Sequence, residues 1–168
     1  MEQETIDAAP PDTAAFFSLG NHPFKLKLYL LKNVPAAFFS GLKVVKANNR
    51  SCSVSVPYKN FTRNPFHSTY FACLSMAAEL STGVLAMANL FRRKPAVSML
   101  ITGMEAKFHK KAIGTTFFTC NDGEQIAARV SETIRTKISQ EVKAHSVGKN
   151  AAGDVVAEFW FTWSFKVR

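Results

Sequence analysis

Asn64–Phe91 reads NPFHSTYFACLSMAAELSTGVLAMANLF and carries one formally charged side chain, Glu79. Asn64-Pro65 suits a helix N-cap followed by proline in the first turn, with Ser68 as a rival cap. The pattern predicts a helix from about Ser68 to Phe91, stopped by Lys94-Pro95. It is apolar on nearly all sides, so it is expected to be enclosed rather than docked on one face. A carboxylate among Ala, Leu, Met and Val is costly to desolvate unless it is paired, protonated or used. The fold therefore turns on what surrounds this helix.

Residues 70–91 are long enough to span a bilayer, with Arg92, Arg93 and Lys94 as a flank. Glu79 near the middle, Asn89 and several Ser and Thr oppose that reading, since a lipid-facing Glu costs roughly a few kcal/mol. The rest of the chain also supplies strands able to cover the helix. Leu42–Lys46 and Ser51–Val56 predict a hairpin turning at Asn48-Asn49, and the second segment alternates strictly. Residues 96–111 and 113–120 predict two further strands joined at Gly114. Asp122 is a candidate N-cap for an amphipathic helix marked by Ile126, Val130, Ile134 and Ile138. Val142–Val147 predicts a strand that turns through Gly148–Gly153. In the closing strand Phe159, Phe161, Trp163, Phe165 and Val167 share one face. The simplest architecture is α+β: an antiparallel sheet curling around the long helix.

Before the hairpin, Asp12 or Thr13 can cap a short helix through Phe16 and Phe17. Residues 24–33, FKLKLYLLKN, form a basic apolar segment that either packs on the flank of the domain or lies on a membrane surface. The 168 residues suffice for one domain, expected over 13–168, after an acidic flexible tail over 1–12. A hydrophobic content of 47% with 15 Phe excludes a disordered chain. The net charge is +9, and the tail carries four acids without Lys or Arg, leaving +13 on the body. Such a balance suits an anionic partner or simply a solvated basic surface. Cys52, Cys73 and Cys120 match no metal or disulfide pattern and fit a reducing cytoplasm. The N-terminus is acidic and polar, unlike a signal peptide.

An antiparallel sheet around a central helix resembles the hotdog fold, and the segment Asn64–Gly83 strengthens the likeness. In thioesterases of the phenylacetate-pathway type, an Asn precedes a His-Gly-Gly element at the start of the central helix. An Asp or Glu follows two and a half turns later, and a Gly one turn beyond. Here Asn64 precedes Tyr70-Phe71-Ala72, which stands in the His-Gly-Gly place; Glu79 takes the acidic place and Gly83 the small one. The wording of this segment is also similar to a largely uncharacterised bacterial branch of hotdog proteins taken to be thioesterases. That likeness extends over most of residues 24–168, including Pro35-Ala36-Ala37-Phe38-Phe39.

The resemblance implies hydrolysis of an acyl-CoA or related acyl thioester by a homodimer or dimer of dimers, with sites spanning two subunits. Glu79 is then general base or nucleophile, Asn64 orients the water or carbonyl, and a backbone N–H of residues 70–72 stabilises the oxyanion. The departure is the missing His-Gly-Gly element, with Tyr70 and Phe71 adding bulk where the family has almost none. A non-catalytic acyl- or lipid-binding dimer is the alternative.

Several residues keep a plainer reading beside the catalytic one. Glu79 can pair with a basic side chain or a tyrosine on the sheet, Asn64 can be only a cap, and Gly83 can allow close packing. Arg92, Arg93 and Lys94, with Lys107, Lys110 and Lys111, are candidates for the phosphates of coenzyme A. No cofactor is expected beyond coenzyme A within the substrate. The four histidines lack ligand spacing, so no metal is expected. No nucleic-acid motif appears, and a membrane contact is not the favoured reading.

Overall fold

The computed structural model describes residues 12–20 and 22–168. Residues 1–11, which hold most of the expected acidic tail, lie outside the described residues. Asp12 caps α1 (Thr13–Gly20), its Oδ1 accepting from the Ala15 N–H at 3.1 Å. Helix α2 (Pro23–Asn33) has proline in its first turn, and α3 (Pro35–Phe39) follows at once. Leu30 of α2 is buried in the core, while Phe24 and Leu28 stay exposed.

Strands β1 (Lys43–Ala47) and β2 (Cys52–Val56) form the predicted hairpin. Asn48 sets the turn, its Oδ1 accepting from the N–H groups of Arg50 and Ser51. The other strands are β3 (Val97–Phe108), β4 (Thr116–Cys120), β5 (Gln140–Lys149) and β6 (Val155–Val167). All pair antiparallel in the order β1-β2-β4-β5-β6-β3.

The segments expected to meet at Gly114 are therefore not neighbours. β4 sits between β2 and β5, and β3 crosses to the far edge beside β6. Cross-strand packing explains the crossing. Met99, Ile101, Met104 and Ala106 of β3 stand opposite Phe165, Trp163, Phe161 and Phe159. These four β6 aromatics are buried, as the alternation predicts. Burying each aromatic contributes roughly 1.5–3 kcal/mol.

Helix α5 (Gly123–Thr136) buries Ile126, Val130 and Ile134, but Ile138 is exposed. Lys137 adopts φ +58°, and this left-handed residue ends the helix before Ile138. Asp122 stands at the N-cap without capping. Its Oδ2 instead accepts from the His145 N–H of β5 at 2.6 Å, tying the helix start to the sheet.

Helix α4 (Phe71–Leu90) starts three residues later than Ser68 and packs against β2, β4, β5, β6 and α5. Its sheet side is built from small residues, among them Ala77, Ala78, Ser81, Thr82 and Ala88, with Leu85 filling the centre. The buried hydroxyls on that side are satisfied. Ser81 Oγ lies 2.8 Å from Ser146 Oγ, and Trp163 Nε1–H donates to Thr82 Oγ1 at 2.9 Å.

The expectation of full enclosure is corrected. A stripe through Ala72, Met76, Glu79, Leu80 and Met87 is exposed or half-buried, because the sheet wraps one side of the helix only. Among the described residues α4 is the one helix long and apolar enough to cross a membrane, and its sheet side forms the core. A six-stranded antiparallel sheet around one long helix is the α+β hotdog arrangement.

Candidate active site

The approach to α4 is shaped by Asn64. Its Oδ1 accepts from the N–H groups of Phe66 (3.0 Å) and Ser68 (3.2 Å) and from the Ser68 hydroxyl (3.2 Å). Its backbone N–H donates to the Ser68 carbonyl at 2.9 Å. Asn64 thus builds the loop before the helix and does not cap α4, whose N-cap residue is Tyr70. With Oδ1 engaged, Nδ2 is the group left to donate, and it has no acceptor among the described residues.

The loop is pinned from two sides. Arg63 bridges to Thr69, and both the N–H and hydroxyl of Thr69 donate to the Ala112 carbonyl. The Tyr70 N–H donates to the Thr62 carbonyl at 2.6 Å. Phe71 and Ala72 then supply the first amides of α4. Those amides have no intrahelical acceptor, and none accepts from them among the described residues. The positive end of the helix dipole reinforces their preference for negative charge.

These pieces line a cleft of about 670 Å³ containing Asn64, Tyr70, Phe71, Arg63, Phe108 and Lys110. The Tyr70 and Phe71 rings meet edge to face at 5.1 Å, and both side chains are exposed. The wall from the β3–β4 connection brings His109, Lys110 and Lys111. Lys110 pairs with Asp154 at 3.0 Å and His109 with Glu158 at 3.0 Å. Arg63 has no ion pair among the described residues, which leaves its charge available to the cleft. Sequence reading passed over Arg63 and His109. The available signal was that Arg63 directly precedes Asn64; the approach of His109 depends on the distant Thr69–Ala112 contact.

Glu79 lies eight residues beyond Phe71, about 12 Å along the helix axis. It does not line this cleft. Among the described residues its carboxylate has no ion pair or hydrogen bond, so a partner on the enclosing sheet is not what the fold provides. One side of the carboxyl reaches solvent. On the other, desolvation by the surrounding protein raises its pKa above the ordinary carboxylate value.

The remaining candidates are spread along α4. Gly83 is buried, and a Cβ there would stand 3.5 Å from the Trp163 ring, so this position serves sheet packing. Arg92, Arg93 and Lys94 follow the C-terminus of α4, about 30 Å from Phe71. Arg92 reaches Asp12 at 3.4 Å and lies over the Phe91 ring. Arg93 donates to Ser131 Oγ of α5 at 3.2 Å, and its burial lowers the guanidinium pKa. Lys94 is exposed.

Within one chain, the fold gathers Asn64 with Tyr70 and Phe71, next to Ala72. It leaves Glu79, Gly83 and the three cations elsewhere on the helix. Cys73 sits in the first turn of α4, but burial raises its thiol pKa, so the helix dipole does not yield a nucleophilic thiolate. Among the described residues no three His, Cys, Asp or Glu side chains converge on a metal position.

Solved structures share this architecture. A Pseudomonas aeruginosa protein of unknown function, described as a probable thioesterase, is 21% identical and superposes with a TM-score of 0.73 over 87% of this chain and 97% of that one. A Chlorobaculum tepidum protein of unknown function is 15% identical, with a TM-score of 0.70 over 86% and 94% of the two chains. A thioesterase from Haemophilus influenzae is 10% identical, with a TM-score of 0.61 over 83% and 88%. At these identities the likeness establishes the fold. No curated protein matches the chain. Residues 30–165 match the model of a domain of unknown function, DUF4442, and the chain belongs to that family.

Proposed function

We propose that this protein is a thioesterase that hydrolyses an acyl-CoA or related acyl thioester, with Glu79 as the catalytic carboxylate. The observation that supports this most is an unpaired Glu79 with a raised pKa on the outward stripe of the hotdog helix. A raised pKa makes a carboxylate a stronger base. As general base, Glu79 takes a proton from water while the water oxygen bonds to the thioester carbon. The carbonyl oxygen becomes an oxyanion held by the Phe71 or Ala72 N–H, with Asn64 Nδ2 orienting the carbonyl. Collapse breaks the C–S bond, and the thiolate leaves with the proton from Glu79. The nucleophilic variant instead bonds a Glu79 oxygen to the acyl carbon before water releases it.

A dimer reconciles this chemistry with the separation of Glu79 from its own Asn64. Strand β3 ends the sheet with a free edge, and Met104 and Phe108 on its inner face are exposed. Pairing that edge across a twofold axis makes the two α4 helices antiparallel. Glu79 of one copy then faces the helix start of the other. The cations of the 670 Å³ cleft suit the phosphates of coenzyme A. Coenzyme A is part of the substrate in this reading, and no other cofactor takes part.

The second reading, a non-catalytic acyl or lipid binder, is favoured by one observation. Exposed Tyr70 and Phe71 side chains crowd the amides that would hold the oxyanion. Acyl-CoA substrates of graded length, assayed by free-thiol release, separate the two. Turnover lost in Glu79→Gln supports the thioesterase. An absence of turnover across the series, with acyl-CoA still bound, supports the binder.

A further inference from the structure

A second cavity, of about 590 Å³, lies on the opposite half of α4. It is roofed by α1 and α2 and floored by α4, with β1 as its side wall. Phe16, Leu30, Leu80, Val84 and Met87 give it an almost wholly apolar lining. Its size falls within the roughly 300–1,000 Å³ typical of small-molecule sites. The polar side chains at its wall are Lys25, Tyr29 and Arg92. Lys25 and Arg92 are exposed, and their stems can line the wall while their heads stay in water. The Arg92 head is further held at Asp12, and the Tyr29 hydroxyl lies 3.8 Å from Met87 Sδ.

The cavity begins one residue past Glu79 along α4, and Glu79 itself does not line it. Leu80 directly follows Glu79, and the lining continues along α4 to Phe91. Leu80 to Phe91 spans about 16 Å of helix, roughly the length of a dozen methylene groups given C–C bonds near 1.5 Å. Among the described residues no other polar side chain lines the wall, so a linear hydrocarbon loses no hydrogen bond by leaving water there and gains from the burial of each methylene.

We infer that this chamber holds the acyl chain of the substrate, with the thioester at the Glu79 end and the chain running under α1 and α2 toward Phe91. The inference rests on the thioesterase reading for the identity of its ligand. It makes the protein selective for medium or long linear acyl groups, with Leu90 and Phe91 at the far end setting the limit of length and Val84 and Met87 lining the middle.

The test titrates cis-parinaric acid into the full chain and then displaces it with dodecanoyl-CoA or with coenzyme A alone. The chamber predicts bound probe, displacement by dodecanoyl-CoA and none by coenzyme A. Val84→Trp and the half-buried Met87→Trp should each weaken probe binding about tenfold or more and lower the dodecanoyl-to-butyryl preference in kcat/KM. Failure of the wild type to bind the probe, or unchanged affinity in both variants with unchanged melting temperatures, overturns the inference. Probe binding lost in the variants without turnover of any acyl-CoA upholds the chamber and removes the catalytic reading. Glu79-dependent turnover with no change of chain preference in the variants does the reverse.

Discussion

On the sheet side of α4 the buried hydroxyls of Ser81 and Thr82 find partners on β5 and β6 within one chain. On the outward side the charge of Glu79 finds none among the described residues. The first face is a folded-state solution, with small side chains, close approach and satisfied polar atoms. The second face carries Glu79, and beside it Leu80, Val84 and Met87 floor a cavity roofed by α1 and α2. Changes on the sheet face should therefore alter stability, and changes on the outward face should alter association or activity.

The largest stability effect is expected at Leu85, which is 1% exposed. Leu85→Ala should cost about 2–5 kcal/mol in urea unfolding, through lost transfer energy and a cavity. Thr82→Val should cost about 1–3 kcal/mol, because it strands the buried Trp163 N–H. A loss as large from an outward-stripe substitution such as Met76→Ala would break the contrast between the faces. For association, Met104→Glu places a charge on the inner face of the free edge. Sedimentation should show the proposed dimer weakened about tenfold or more, near 1.4 kcal/mol. An unchanged dimer would place the interface elsewhere.

The smallest effect is a change of sign at Glu79. Its raised pKa means that ionisation disfavours the folded state, and that stability is lost as pH rises through the folded pKa. Glu79→Gln removes this loss. The variant should melt slightly above wild type at neutral pH, and the difference should vanish below the ordinary carboxylate value of 4.5. A drop in melting temperature at neutral pH would reveal a stabilising partner for the carboxylate.

How far the sequence could be read follows the reach of each interaction. β6 was legible because its alternation reports directly which residues face the core. α5 was legible from Ile126, Val130 and Ile134, and it failed at Ile138 because a single left-handed residue carries no periodic signal. The start of α4 was misplaced because Asn64-Pro65 resembles a cap, while Asn64 spends its side-chain oxygen on a local loop. The place of β3 beside β6 was hidden because it depends on cross-strand packing between segments about 60 residues apart. The cleft and the chamber were hidden for the same reason. Glu79 was visible as the lone charge in an apolar run, but its exposure follows from how far the sheet wraps, which composition does not encode.

Free-thiol release from dodecanoyl-CoA by wild type and Glu79→Gln, followed across pH, tests the account most directly. The prediction is that Glu79→Gln lowers kcat by roughly a hundredfold or more. Wild-type activity should fall as pH drops through a value above the ordinary carboxylate range, because the base must be ionised. A Glu79→Gln protein with the wild-type rate and pH profile would contradict the central claim.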